Sequence, residues 1–264
     1  MSTQISGQRH IRRRNIRQRT ARGGLRGAVA AEWTKLFSLR STWYFLLTAA
    51  AVMGVTAACV GAVTHDAGAS PADPATLATV YGVEFVVAGL AMLCVTGEYA
   101  TGSITNTLQC VPDRARMLVS KSIVTAAVAF GAGIVLAVIG TGAGAAALDE
   151  SASDLGQVAG QVFAVAVHLM LMSVLTVGLA AIVRSSAGTI TVLFVLLLVV
   201  PTILQSIPLD FLTNLAQFLP RAAGTQFLTG DADLYGPAAG LLLLAAWTAA
   251  SLTLATAILR RRDA

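Results

Sequence analysis

Seventeen of the eighteen lysines and arginines in this 264-residue chain fall on one side of six apolar runs. The runs are Trp43–Val63, Leu77–Thr96, Ser122–Ala147, Val158–Val183, Ala187–Ile207 and Gly236–Leu259. Each holds about 20 or more mostly apolar residues, enough to cross a ~30 Å hydrocarbon layer as a helix. The basic residues lie before the first run, in the second and fourth gaps, and in the tail, and only Arg221 lies opposite them. Basic loops stay in the cytoplasm, so the split predicts six spans with both termini inside. Outer loops are expected at 64–76, 148–157 and 208–235.

The acidic residues run the other way. Asp66, Asp73, Asp149, Glu150, Asp154, Asp210, Asp231 and Asp233 belong to the outer side. The net charge of +5 therefore reflects topology rather than affinity for nucleic acid. The arginine run from Arg9 to Arg26 contains no aromatic residue for base stacking. It reads as a disordered cytoplasmic tail that touches anionic lipid heads, with no nucleic-acid partner. A charged fraction of 12% and a mean hydropathy of +0.74 agree with an all-α integral membrane protein. The domain plan is a basic tail over 1–26 and one six-helix membrane domain over 27–264. Sixteen arginines against two lysines, with abundant Ala and Gly, point to a GC-rich prokaryotic genome and hence to the cell's inner (plasma) membrane.

Known chemistries are poorly represented. The sequence has no Gly-x-x-x-x-Gly-Lys-Ser/Thr phosphate loop, no His-Glu-x-x-His and no Gly-x-Ser-x-Gly. Cys59, Cys94 and Cys110 show no Cys-x-x-Cys or Cys/His spacing, so neither disulfides nor a metal site is indicated. No catalytic residues are assigned. The first run is long and lies too far into the chain to read as a signal peptide.

The gaps carry more information. Val29, Trp33, Leu36 and Phe37 form one helical stripe, with Glu32 and Lys35 off it. This predicts an amphipathic helix on the inner leaflet, followed by Arg40 and the interfacial pair Trp43 and Tyr44. In the second gap Ile104, Leu108 and Val111 recur at helical spacing, which predicts a short helix. Pro112 suits the first position of the next helix, with Asp113 set against its dipole. Within the spans, Glu84 stands seven residues into its run, a depth near the outer boundary. A carboxylate there is either a structural hydrogen-bond partner or part of a pathway. His168 reads as a packed histidine bonded to a neighbour. Ala129, Gly133, Ala137, Gly140 and Gly144 space small residues for close helix contact. In the last outer loop, Leu212, Leu215 and Leu219 repeat until Pro220 stops the pattern, giving a short helix on or in the outer leaflet.

The order of these parts resembles the permease subunit of type-2 ATP-binding-cassette (ABC) exporters. The resemblance rests on the helix Ala31–Trp43, on Gly97-Glu98-Tyr99-Ala100-Thr101-Gly102-Ser103-Ile104, and on Pro112-Asp113-Arg114-Ala115-Arg116-Met117-Leu118-Val119-Ser120-Lys121. It covers the chain from about Gly27 onward. It implies a connecting helix carrying Glu32, Trp33, Lys35, Leu36 and Arg40. It also implies a coupling helix with Glu98, Tyr99, Gly102, Ile104, Leu108, Pro112 and Arg114, docked on a separate ATPase subunit. Two permease halves, identical or different, would pair within membrane lipids. ATP and Mg would be bound by the partner ATPase and no cofactor by this chain, which is then no enzyme by itself. The implied function is efflux of an amphiphilic, lipid-like, drug or peptide substrate. Two other readings stay open: a non-transport scaffold or sensor subunit, and an intramembrane enzyme.

Overall fold

The computed structural model describes residues 24–64, 72–110, 113–148, 155–230 and 234–261. All secondary structure among them is helical. Six helices are long and apolar enough to cross a membrane, and they match the six runs of the sequence.

A first helix, α1 (Leu25–Ser38), precedes the spans. It begins two residues before the expected boundary at Gly27. Its buried residues are Ala28, Glu32 and Leu36, and Trp33 is exposed. The buried face is thus one position round from the stripe read in the sequence, and it includes an acid that the stripe left out. The helix ends at Leu39, whose backbone is extended. Thr42 Oγ1 donates to Leu36 O across the break at 2.5 Å.

Span one is α2 (Arg40–Thr64). Span two is built from α3 (Ala72–Ala78), one π-helical turn (Thr79–Val83) and α4 (Glu84–Ala100). After a turn at Gly102, α5 (Ile104–Cys110) precedes span three, α6 (Arg114–Leu148). Gly102 has φ +70°, a backbone region that favours glycine. Span four is α7 (Leu155–Val183). Span five is α8 (Ser186–Phe194), a second π turn (Val195–Val199) and α9 (Val200–Ser206). Two short helices follow, α10 (Asp210–Gln217) and α11 (Pro220–Thr229), and span six is α12 (Pro237–Arg261).

Two starting points differ from the sequence reading. Span two begins at Ala72, five residues before Leu77, so Glu84 lies deeper than expected. Span three begins at Arg114 rather than Pro112, and Pro112 itself lies outside the described residues. The physical reason is the cap: Asp113 Oδ1 accepts from the amides of Ala115 and Arg116 at 3.1 and 3.3 Å. In the last gap Pro220 ends one helical pattern and opens α11, its fixed φ suiting a first helical position. The sequence reading had no counterpart for α11.

Spans two and four form the centre, with 67% and 61% of their apolar stretches buried, against 22% for spans one, five and six. The less buried spans turn apolar residues such as Leu47, Val55, Phe194, Leu242 and Leu254 outward, as lipid-facing helices do. Span three seats against several neighbours along its small residues: Gly133 meets span four, Gly140 meets Met53 of span one and Ala75 of span two, and Gly144 meets Gly61 of span one. Ala129, Gly133, Ala137, Gly140 and Gly144 are all buried. A Cβ on Gly133 would lie 2.7 Å from Ala166 Cα, so the two backbones meet there.

Candidate functional site

One end of the bundle gathers α1, α5, the close of span two, the start of span three and the close of span six. This basic end holds a four-charge network. Lys121 in span three places Nζ 2.8 Å from Glu32 Oε2 of α1 and 2.9 Å from Glu98 Oε1 of span two. It also donates to Cys94 O at 3.0 Å. Lys35 Nζ lies 3.0 Å from both Glu32 Oε1 and Glu98 Oε1, and donates to Thr107 Oγ1 of α5 at 3.2 Å. Two ammonium groups and two carboxylates alternate, so the cluster is neutral. Lys121 is among the most deeply buried large side chains of the protein, at 2% exposure.

Burying such charges is costly unless they are paired, and removing one partner leaves an uncompensated charge worth about 3–5 kcal/mol. The network therefore acts as a joint, and each of its four structural elements is penalised for leaving. Burial works against the charged form of Lys35, but its hydrogen bonds to Glu98 and Glu32 and their negative charges outweigh this and hold its pKa above the ordinary lysine value.

The implied site residues fall into distinct places. Glu32, Lys35 and Glu98 meet in this joint. Leu36 is buried between α1 and spans two and three. Trp33 and Arg40 are exposed, with the Trp33 ring 4.8 Å from Phe37. Tyr99 lies under the guanidinium of Arg184, 5.3 Å from its ring centroid. Arg184 sits at the elbow between spans four and five with φ +58°. Arg114 donates to Leu259 O at 2.8 Å and so ties span three to the end of span six. Ile104 is buried against the chain itself. Leu108 is helical, and nothing of its side chain is described. Sequence reasoning treated Lys121 only as the place where a helix enters the membrane. The available signal was that Lys121 shares a face with Leu118, Thr125 and Val128, all of them buried.

A cavity of about 440 Å³ opens beside the joint. Leu36, Leu90, Leu93 and Val124 give it apolar walls, and Ser41, Thr101, Ser103 and Asn106 add polar groups.

A second polar cluster lies deep between the spans. His168 Nε2 of span four is 3.4 Å from Glu84 Oε2 of span two. Both side chains are buried, and His168 is bonded to a neighbour, in line with the sequence reading. Toward the acidic end, Gln161 of span four donates to Thr76 of span two.

Six apolar helices, buried charge confined to a few paired clusters, and lipid-facing outer spans define a multi-pass α-helical membrane protein. No protein-family model matches the chain, and no curated protein matches its sequence.

Proposed function

We propose that this chain is the membrane-embedded permease subunit of an ATP-driven exporter of the type-2 ABC class, energised by a separate ATPase. The observation that carries this reading is the joint of Glu32, Lys35, Glu98 and Lys121. A helix lying outside the spans and a short helix between two spans are clamped to the ends of those same spans. A force applied to α1 or α5 is then delivered to spans two and three rather than lost in a loop. On this reading the motor is a partner that binds ATP and Mg, and the lack of a phosphate loop in the sequence agrees with that. The basic end is the cytoplasmic face by the basic-loop rule. Movement of the joint would bias the spans between two arrangements as nucleotide binds and leaves. The apolar walls and polar lining of the adjoining cavity favour an amphiphilic substrate.

The test is co-reconstitution in vesicles with a separate ABC ATPase, a gene for which is expected beside this one. ATP-dependent movement of a fluorescent amphiphile is expected, with loss of transport when Lys121→Met breaks the joint. Failure of the two proteins to co-purify, or transport that ignores ATP, would overturn the reading.

A further inference from the structure

We propose that Glu84 and His168 form a proton-binding site at the middle of the membrane, and that α11 is the lid whose position the site controls. Glu84 is eleven residues into the helix that starts at Asp73, a depth of about 17 Å at the helical rise per residue. That is near the centre of a ~30 Å hydrocarbon layer. The two side chains are 1% and 0% exposed. Glu84 Oε1 and His168 Nδ1 are buried without a hydrogen-bond partner. Structural pairing alone leaves both of these atoms unsatisfied.

Among the described residues, α11 is the cover on the acidic side. It dips between the spans until Gly224 lies on the imidazole. A Cβ at Gly224 would stand 2.4 Å from Cε1 and 2.6 Å from Nδ1 of His168. Any larger residue would push the lid off the ring. Three residues earlier, Arg221 anchors the same helix. It reaches toward Val80 O and Leu197 O, 3.4 Å from each, and lies over the Tyr81 ring at 4.7 Å. Those carbonyls belong to the two π turns. Pro201, four residues on, has no amide hydrogen to give Leu197 O, and Arg221 reaches toward that carbonyl.

The charge count sets the direction of the switch. With one shared proton the pair is neutral, as carboxylate with imidazolium. A second proton from bulk water, added to the Glu84 carboxylate facing imidazolium, leaves a net charge of +1 in an apolar site. Besides the pair, the titratable groups among the described residues at this depth or nearer the acidic end are Arg221 on α11, Tyr81 and Asp73 on span two, Cys59 on span one, Asp210 on α10 and Tyr235 just before span six. Spans three, four, five and six contribute none there among the described residues. The extra positive charge thus sits beneath a helix that carries Arg221, and α11 is repelled. Loss of the shared proton gives −1, which Arg221 partly offsets. Acid opens the lid, and neutral or mildly alkaline pH keeps it closed.

The inference stands apart from the exporter reading, because it is tested on this chain alone in lipid vesicles. Spin labels are placed at Val63→Cys on span one and Thr229→Cys on α11, with the native cysteines replaced, and their separation is measured by pulsed electron resonance. When the pH is lowered from about 8 to about 5, the wild type should gain a longer distance. Its population should rise about tenfold over one unit of pH, as for a single titrating site. The double variant Glu84→Gln/His168→Gln should give the same distribution at both pH values. A pH-independent wild type, or a response that survives in the double variant, overturns the proposal. If the double variant does not fold, infrared difference spectra of the wild type decide. A buried carboxylic-acid carbonyl band must rise with the same midpoint as the distance change, and its absence is fatal to the proposal.

Discussion

Lys121 and Glu32 are 89 residues apart in sequence, yet their ammonium and carboxylate meet at 2.8 Å. The lysine belongs to a membrane span and the acid to a helix outside the spans, so this contact is where the two parts of the protein are fastened together. Lys121→Met leaves Glu32 and Glu98 facing each other with only the half-exposed Lys35 between them. A loss of about 3 kcal/mol is expected, at the lower end for a broken buried pair. Thermal unfolding in detergent measures it. Adding Glu98→Gln to Lys121→Met should recover part of the loss, since the interaction is pairwise. Strictly additive losses would show that the two residues do not share a joint.

Lys35 gives the joint a pH signature. Its folded pKa is raised above the ordinary value of 10.5. A raised lysine contributes stability that is complete below the ordinary pKa and disappears as pH rises through the folded value. The Lys35 contribution should therefore be indifferent to pH near neutrality and weaken in strong alkali. Because Lys35 is half exposed, its share should stay under about 1 kcal/mol. The difference in melting temperature between wild type and Lys35→Met should be constant from neutral pH to about pH 9 and shrink above the ordinary lysine pKa. A difference that shrinks in acid instead, while staying constant in alkali, would contradict this.

Two glycines of span three offer an internally controlled comparison. Gly133→Ala drives a Cβ to 2.7 Å from the backbone of Ala166, where nothing can yield easily. Overpacking of this kind costs about 1–3 kcal/mol. Gly131→Ala, half a turn away, meets no atom within 4 Å and should be neutral or stabilising by up to about 1 kcal/mol. Equal effects at both positions would show that spans three and four do not touch as described.

Membrane orientation can be tested at single cysteines in a background lacking Cys59, Cys94 and Cys110. Asp210→Cys should react with an impermeant maleimide added outside intact cells. Arg40→Cys should react only after the membrane is opened. The reverse pattern would invert the protein and remove the cytoplasmic assignment of the joint.

The six spans were legible because apolar runs of sufficient length leave few alternatives, and their ends shift by only a few residues. The small-residue stripe of span three was legible for a similar reason, since Gly and Ala at fourfold spacing present one flat face. The joint was half legible. Glu32, Lys35 and Glu98 could be singled out individually, but periodicity put Glu32 off the buried stripe of α1. Only the position of Lys121, a long-range fact, turns that helix to bury its acid. Arg221 was legible only as the basic residue of the segment between spans five and six, because α11 is too short to announce itself as apolar. Its placement depends on the carbonyls of Val80 and Leu197, which no residue pattern reveals. The depth of Glu84 was missed because Pro74 and the polar residues beside it masked the true start of span two.

The π turn at Thr79–Val83 has a further effect on how spans two and four mesh. Thr76 meets Gln161 and Glu84 meets His168, so the two contacts are eight residues apart in span two but seven in span four. Two regular turns take about seven residues. In an unbroken α-helix, the residue eight places after Thr76 would point about 80° away from the face that Thr76 shares with span four. The wide turn absorbs the surplus residue and brings Glu84 back into angular phase with its partner. Removing one residue there would let the segment close as a regular α-helix with Glu84 seven places after Thr76, within about 20° of the same face, whereas inserting one further residue would swing Glu84 off His168.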